Sequence, residues 1–221
     1  MDGYDFTFQG AALTALPCGA LWWENEALLC VSDLHLGKSD RMARRGGPLL
    51  PPYENRDTLA RLADVITKYR PRTVVCLGDS FDDLAGQEAL DERDHAVLNR
   101  MMAGRRWIWI EGNHDPGPIH LGGTHLAEHR AGPLIFRHIA TTGEPGEVSG
   151  HYHPKARVQL RTTGLTRPCF LIDQTRIILP AFGAYTGGLR TSAPVLSRLM
   201  GDPAIAVLTG AQALAVPMPR G

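Results

Sequence analysis

The chain has 221 residues, 43% of them hydrophobic and 21% charged, which excludes a disordered, collagen-like or low-complexity polymer. Its 23 Lys+Arg balance 23 Asp+Glu, so no net charge draws it to nucleic acid or to a membrane, although patches rather than totals bind phosphate. Four scattered cysteines form no CxxC pair, the first residues are acidic where a signal peptide is basic, and no apolar run approaches about 18 residues. A soluble, reduced, cytoplasmic protein without a membrane partner is expected.

Short strands are expected over residues 4–9, 20–23 and 27–32. The clearest helix is 53–69, where Leu59, Leu62, Ala63, Ile66 and Tyr69 recur at three- and four-residue spacing before Pro71 closes it. A buried strand over 73–77, a polar helix over 87–102 and a strand over 106–110 follow. In the last of these, Trp107 and Trp109 alternate with Ile108 and Ile110, a pattern of core residues. From Pro133 onward the chain reads as short β-runs at 133–138, 146–150, 156–162, 167–173, 175–180 and 204–208, with one helix near 192–200. Helices early and strands late suggest an α/β fold of two packed sheets with helices outside. With no internal repeat or linker, residues 1–221 are expected to form a single domain without a separate cap.

Charge is segregated along the chain. Residues 32–72 carry nine Lys/Arg against five Asp/Glu, residues 155–220 eight against two, and residues 79–94 seven acids and one Arg. The acidic run reads as a solvated face. The basic segments leave two readings open, a solvated face or a phosphate contact.

Four short segments place metal-competent side chains where strands give way to loops: Ser32-Asp33-Leu34-His35, Gly78-Asp79-Ser80-Phe81-Asp82, Gly112-Asn113-His114-Asp115 and Gly150-His151-Tyr152-His153. The carboxyl ends of strands are where open α/β sheets build ligand sites. In extended backbone, Asp33 and His35, like His151 and His153, would leave the same face. Taken singly, each segment is ordinary turn chemistry. Together they offer carboxylate, amide and imidazole donors with no thiolate, a set suited to Mn²⁺ or Fe²⁺, with Zn²⁺ possible. A carboxylate such as Asp79 could bridge two ions about 3.5–4 Å apart.

The set DxH, GDxxD, GNHD, a single His, and GHxH resembles the calcineurin-like metallophosphoesterase superfamily over residues 30–155. The single His has four candidates, His120, His125, His129 and His138; His138 ends an apolar run 13 residues before His151, as the family's pattern has it. The resemblance implies a four-layer α/β/β/α sandwich and two divalent ions, most simply Mn²⁺. One ion would be held by Asp33, His35, Asp79 and His153, the other by Asp79, Asn113, His138 and His151. His114 would face the scissile phosphate as a catalytic group, and Asp82 would orient it by hydrogen bond. The DLHLGK opening, LPP at 50–52, GHYHP and LPAFGAYTGGL at 179–189 are similar to the ligase-associated DNA-damage-response endonucleases. That branch implies single-stranded or flexible DNA as substrate and association with an ATP-dependent DNA ligase and a helicase. Lys38, Arg41, Arg44 and Arg45, in a Gly-rich turn after DxH, are candidate phosphate contacts. Tyr152 is read as packing into the second sheet, with base stacking as the alternative. A small-molecule phosphoesterase acting on a nucleotide or cyclic nucleotide would use the same residues. A catalytically dead binding module would lack ligands, whereas all seven positions are filled.

Overall fold

A computed structural model describes residues 2–47, 51, 53–88, 90–117, 120–159 and 164–220. Leu50 and Pro52 of the LPP segment, and residues 160–162 of the expected 156–162 strand, lie outside the described residues. The chain opens with β1 (Tyr4–Phe8), β2 (Ala11–Ala15), β3 (Leu21–Trp23) and β4 (Leu28–Val31), an antiparallel meander. Helices α1 (Lys38–Arg44) and α2 (Glu54–Tyr69) lead to β5 (Thr73–Leu77); α3 (Glu92–Met102) leads to β6 (Arg106–Ile110), then β7 (Thr124–Leu126). From β4 to β7 the pairing is parallel, and this first sheet runs in sequence order.

The second sheet comprises β8 (Glu128–Ala131), β9 (Leu134–Arg137), β10 (Glu147–Ser149), β11 (Lys155–Gln159), β12 (Gly164–Ile172), β13 (Arg176–Ile178), β14 (Ile205–Leu208) and β15 (Leu214–Pro217), with α4 (Pro194–Leu199) before β14. Its order is β15-β14-β12-β13-β10-β9-β8, with β11 paired to β12. Strand β10 runs parallel to both β9 and β13.

Period-two alternation builds the layers. Cys30, Val75, Leu77, Ile108 and Ile110 point inward onto Phe136, Val148, Phe170 and Ile177 of the opposite sheet. Their neighbours Leu29, Val31, Val74, Cys76, Trp107 and Trp109 point the other way, onto Leu59, Leu62 and Ile66 of α2 and Leu98 and Met101 of α3. On the far side, Cys169, Leu171, Ile178 and Ala206 pack on Leu196 of α4 and on Met200. The result is the expected α/β/β/α sandwich. Each fully buried Leu or Ile contributes about 2 kcal/mol, so two apolar faces per sheet demand cover on both sides. No helix among the described residues is long and apolar enough to cross a membrane.

Two expectations are corrected. The segment after DxH is a helix, α1, rather than a Gly-rich turn, and as it buries no residue it matches the solvated-face reading of this basic segment. The acidic 79–94 run is a solvated face only at Glu88, Asp91 and Glu92, which are exposed. Asp79, Asp82 and Asp94 are buried, and the acids meet the basic segment: Arg41 on Asp82, Arg44 on Asp83, Arg56 on Asp91. Part of the charge that is segregated in sequence is therefore paired in space.

Candidate metal centre

The loops that leave the carboxyl ends of β4, β5 and β6 carry Asp33 and His35, Asp79, and Asn113 and His114. From the facing sheet, the ends of β9 and β10 bring His138 and His151, with His153 just beyond. The five loops meet at the rim where the two sheets come together.

The expected extended backbone is not what aligns these side chains. Asp33 (φ 53°), His35 (47°), Asp79 (45°), His151 (69°) and His153 (45°) are all left-handed. Non-glycine residues in this region cost energy and gather at functional sites. Here tight turns, rather than strand alternation, aim the donors at one point. Gly78 must also be left-handed (φ 74°), and a Cβ there would lie 2.6 Å from the His138 ring.

Two groups of donors result, Asp33 with His35 and His153, and Asp79 with His138 and His151, each with its donor atoms within 4.8 Å of one another. His153 Nε2 lies 3.2 Å from Asp33 Oδ1, and His138 Nε2 lies 3.3 Å from Asp79 Oδ2. The same Asp79 Oδ2 is 4.0 Å from His35 Nε2 and from His114 Nε2, so one carboxylate stands between the groups. Asn113 Oδ1 reaches His138 Nε2 at 2.9 Å, and His151 Nδ1 is 3.2 Å from the same nitrogen.

Two of the histidines are oriented as metal ligands usually are, with one ring nitrogen committed outside the cluster and the other turned toward the remaining donors. His138 Nδ1 bonds the Leu77 carbonyl at 2.7 Å, and His35 Nδ1 bonds Asp82 Oδ1 at 2.7 Å. A third grouping, His35, Asp82 and His114, consists of residues already hydrogen-bonded to one another. The donor set of this structure thus fits two divalent ions sharing Asp79.

Asp82 differs from expectation in detail. Its carboxylate is turned under His35 and bonded to Arg41 Nε, so it does not reach His114. His114 is held instead by the Asp82 main-chain carbonyl, at 2.8 Å from Nδ1. Its side chain is half-exposed, with Nε2 toward the centre.

Charge is balanced locally. Burial would raise the Asp79 carboxyl, but the hydrogen bond and charge of His138 outweigh it and hold it down at about 2. Asp33 is lowered in the same way, burial opposing and His153 prevailing, and Asp82 likewise through His35 and Arg41. Burial disfavours a charged His138, yet Asp79 and Asp33 raise it; burial and the charge of His138 lower His151.

Of the four candidate phosphate contacts, Arg41 is paired with Asp82, and Arg44 with Asp40 and Asp83. Lys38 is half-buried and Arg45 exposed, and neither forms an ion pair among the described residues. Tyr152 packs on the outer cluster of the second sheet, its ring edge-on to His151. Of the other histidines, His129 is buried against Phe136, His125 stacks on Trp109, and the His120 amide bonds Gln87.

Asp115, the last residue of GNHD, stands outside the donor set and holds the loops that carry it. Its buried carboxylate accepts the amides of Asp79, Ser80, Phe81 and Gly112 at 2.8–3.1 Å, tying the GDxxD loop to the GNHD loop. The LPAFGAYTGGL segment is a brace as well: the Phe182 amide donates to Ser32 O and that of Gly183 to Asp33 O, while Leu189 donates to Tyr152 O. Only its unusual composition, not its chemistry, signalled it in the sequence.

The calcineurin-like phosphoesterase family model matches residues 27–167. No curated protein sequence matches the chain significantly. Among solved structures it is similar to the Pseudomonas putida nuclease MPE, with 27% identity, a TM-score of 0.72, and coverage of 96% of this chain and 100% of that one. The match to the family model spans well over half of the chain and all five loops of the centre, so the chain belongs to the calcineurin-like phosphoesterase family and is a metal-dependent phosphoesterase.

Proposed function

We propose that the chain is a dinuclear-metal-dependent phosphodiesterase that hydrolyses DNA phosphodiester bonds, an endonuclease acting on single-stranded DNA in repair. The observation that carries this reading is Asp79 Oδ2 standing between two groups of donors, with half-exposed His114 above it. That its structural relative is a nuclease supports the polymer substrate. Asp33, His35, Asp79 and His153 would hold one ion; Asp79, Asn113, His138 and His151 the second. Mn²⁺ suits these donors best, ahead of Fe²⁺ or Zn²⁺.

When bound, the two ions supply Lewis acidity toward phosphoryl oxygens and a nucleophile at neutral pH. The chain's own part is positioning and charge. The Asp33 and Asp79 carboxylates offset only half the charge of two divalent ions, and Asn113 adds none, so the centre attracts a phosphodiester although the chain is neutral. His114, fixed through Nδ1, presents Nε2 to the phosphoryl or leaving oxygen and can give it a proton. Lys38 and Arg45 are the cations of the DxH side available to flanking phosphates. A cavity of about 430 Å³ opens beside Asn113 and His138, walled by Glu111, Pro116, Arg137 and Ile139, and gives the strand a path off the centre. Association with an ATP-dependent DNA ligase and a helicase, in the cytoplasm, belongs to the same proposal.

The test offers circular single-stranded DNA and a panel of nucleotides and cyclic nucleotides to the protein with Mn²⁺, and repeats both with a chelator. Linearisation of the circle that the chelator abolishes, without nucleotide turnover, is the expected result. Nucleotide hydrolysis with an intact circle would establish a small-molecule phosphoesterase instead.

A further inference from the structure

Tyr185 combines three properties that do not ordinarily meet. It is a large aromatic side chain that is 46% exposed. Its backbone is left-handed, φ 55°, a conformation that bulky residues avoid at a cost on the order of 1–3 kcal/mol. And among the described residues no hydrogen bond or ring contact holds its side chain. A strained tyrosine with nearly half its surface in solvent contributes little to folding.

Its surroundings are rigid. Two residues before it, the Gly183 amide donates to Asp33 O at 3.0 Å; next to it, the Ala184 amide donates to Thr58 Oγ1 at 3.0 Å. Thr186 Oγ1 donates back to Gly183 O, and Lys155 Nζ donates to Thr186 O. Further on, Leu189 donates to Tyr152 O, between His151 and His153. Tyr185 is therefore carried on a span fixed at one end to the Asp33 loop and at the other to the His151–His153 loop. With the backbone on either side fixed, only the two side-chain torsions of Tyr185 are left to order when its ring is covered.

We propose that Tyr185 is a base-stacking residue, whose ring receives an unpaired nucleobase next to the phosphate at the metal centre. The inference rests on the nuclease reading above and deepens it. A paired base in a duplex already has both faces covered by its neighbours, whereas an unpaired base offers one to the ring. Tyr185 thus gives the site a physical preference for single strands. Tyr152 offers less of its ring, which packs in part on the second sheet and edge-on to His151.

The experiment measures kcat/KM on two single-stranded oligonucleotides with one cleavable phosphodiester, flanked either by bases or by abasic spacers. Base–aromatic stacking predicts that the wild-type chain favours the base-bearing strand by about 5- to 100-fold. Tyr185→Gly is expected to bring that ratio near one, while Tyr185→Phe and Tyr185→Trp preserve it. Because glycine accepts the left-handed backbone without strain, Tyr185→Gly should unfold at the same temperature as wild type or higher. A ratio unchanged by Tyr185→Gly would overturn the proposal, as would a ratio lost equally in Tyr185→Phe together with a lowered melting temperature. Wild-type protein that turns over a nucleotide but cuts neither oligonucleotide would overturn the nuclease reading itself, and this inference with it.

Discussion

Asp115 Oδ1 accepts the main-chain amide of Asp79 at 2.9 Å, so the last residue of GNHD holds in place the backbone that carries the carboxylate standing between the two donor groups. Three more amides, from Ser80, Phe81 and Gly112, close on the same buried group. Asp115→Ala strands these donors away from water, and an unsatisfied buried donor costs about 1–3 kcal/mol. The variant is expected to lose roughly 3 kcal/mol or more of stability, measured by urea denaturation. Asp115→Asn keeps one acceptor oxygen and should lose less. Equal stability of all three proteins would show that the carboxylate does not hold the loop.

Asp82 acts on a different histidine from the one its motif suggests. Its carboxylate fixes His35 Nδ1, and only its main chain touches His114. Asp82→Ala should therefore weaken binding at the Asp33–His35–His153 group, by about 10- to 100-fold on the scale of outer-shell substitutions. Titration calorimetry with Mn²⁺ reads this directly. Arg41→Ala removes only the group behind Asp82 and should have the smaller effect. If Asp82→Ala binds Mn²⁺ as wild type does, the carboxylate has no part in orienting His35.

What the sequence disclosed and what it hid follow from one physical distinction. Strands β5 and β6 were legible to the residue because each is a continuous apolar run packed on both faces, and α2 because it buries a single stripe. Helix α1 buries nothing, and β2, β7, β8 and β15 are short edge or near-edge strands with weak alternation, so period alone missed them. The residues brought together at the centre were legible because they need particular side chains at loop starts. Which atom meets which was not, as Asp82 shows, because a carboxylate and its own carbonyl are one letter in a sequence. The role of Asp115 was hidden for a similar reason, since its partners are main-chain amides, which carry no sequence signal.

His129 gives the fold a pH dependence independent of the centre. It is buried against Phe136, and burial, helped by the charge of Arg106, lowers its pKa below 6.5. Above about 6.5 the ring is neutral in both folded and unfolded chains and costs nothing. Below it the unfolded chain takes up a proton that the folded chain resists, so stability is lost as the pH falls from 6.5 toward the folded value. His129→Gln cannot titrate there. Urea denaturation at about pH 7.5 and about pH 5.5 should show a smaller acid loss for the variant than for wild type. The same loss in both would place the acid sensitivity elsewhere.

Gly183 and Gly187, four residues apart in one loop, are expected to respond oppositely to the same substitution. A Cβ at Gly183 would lie 2.1 Å from the Leu34 carbonyl oxygen and 2.9 Å from that of Asp33, both backbone atoms that no rotamer can move aside. A Cβ at Gly187 meets nothing within 4 Å, and its backbone is not left-handed. Gly183→Ala must therefore push the brace off the DxH loop, shifting Asp33 and His35 relative to Asp79. Activity should fall by about 100-fold, since misplacement of about 1 Å at a reacting centre has that effect. Gly187→Ala should be neutral in both stability and turnover, because it adds a methyl group to open space. Comparing kcat and melting temperature for the pair separates a brace that positions the ligand loop from a loop that merely covers it. Turnover retained by Gly183→Ala would exclude the brace.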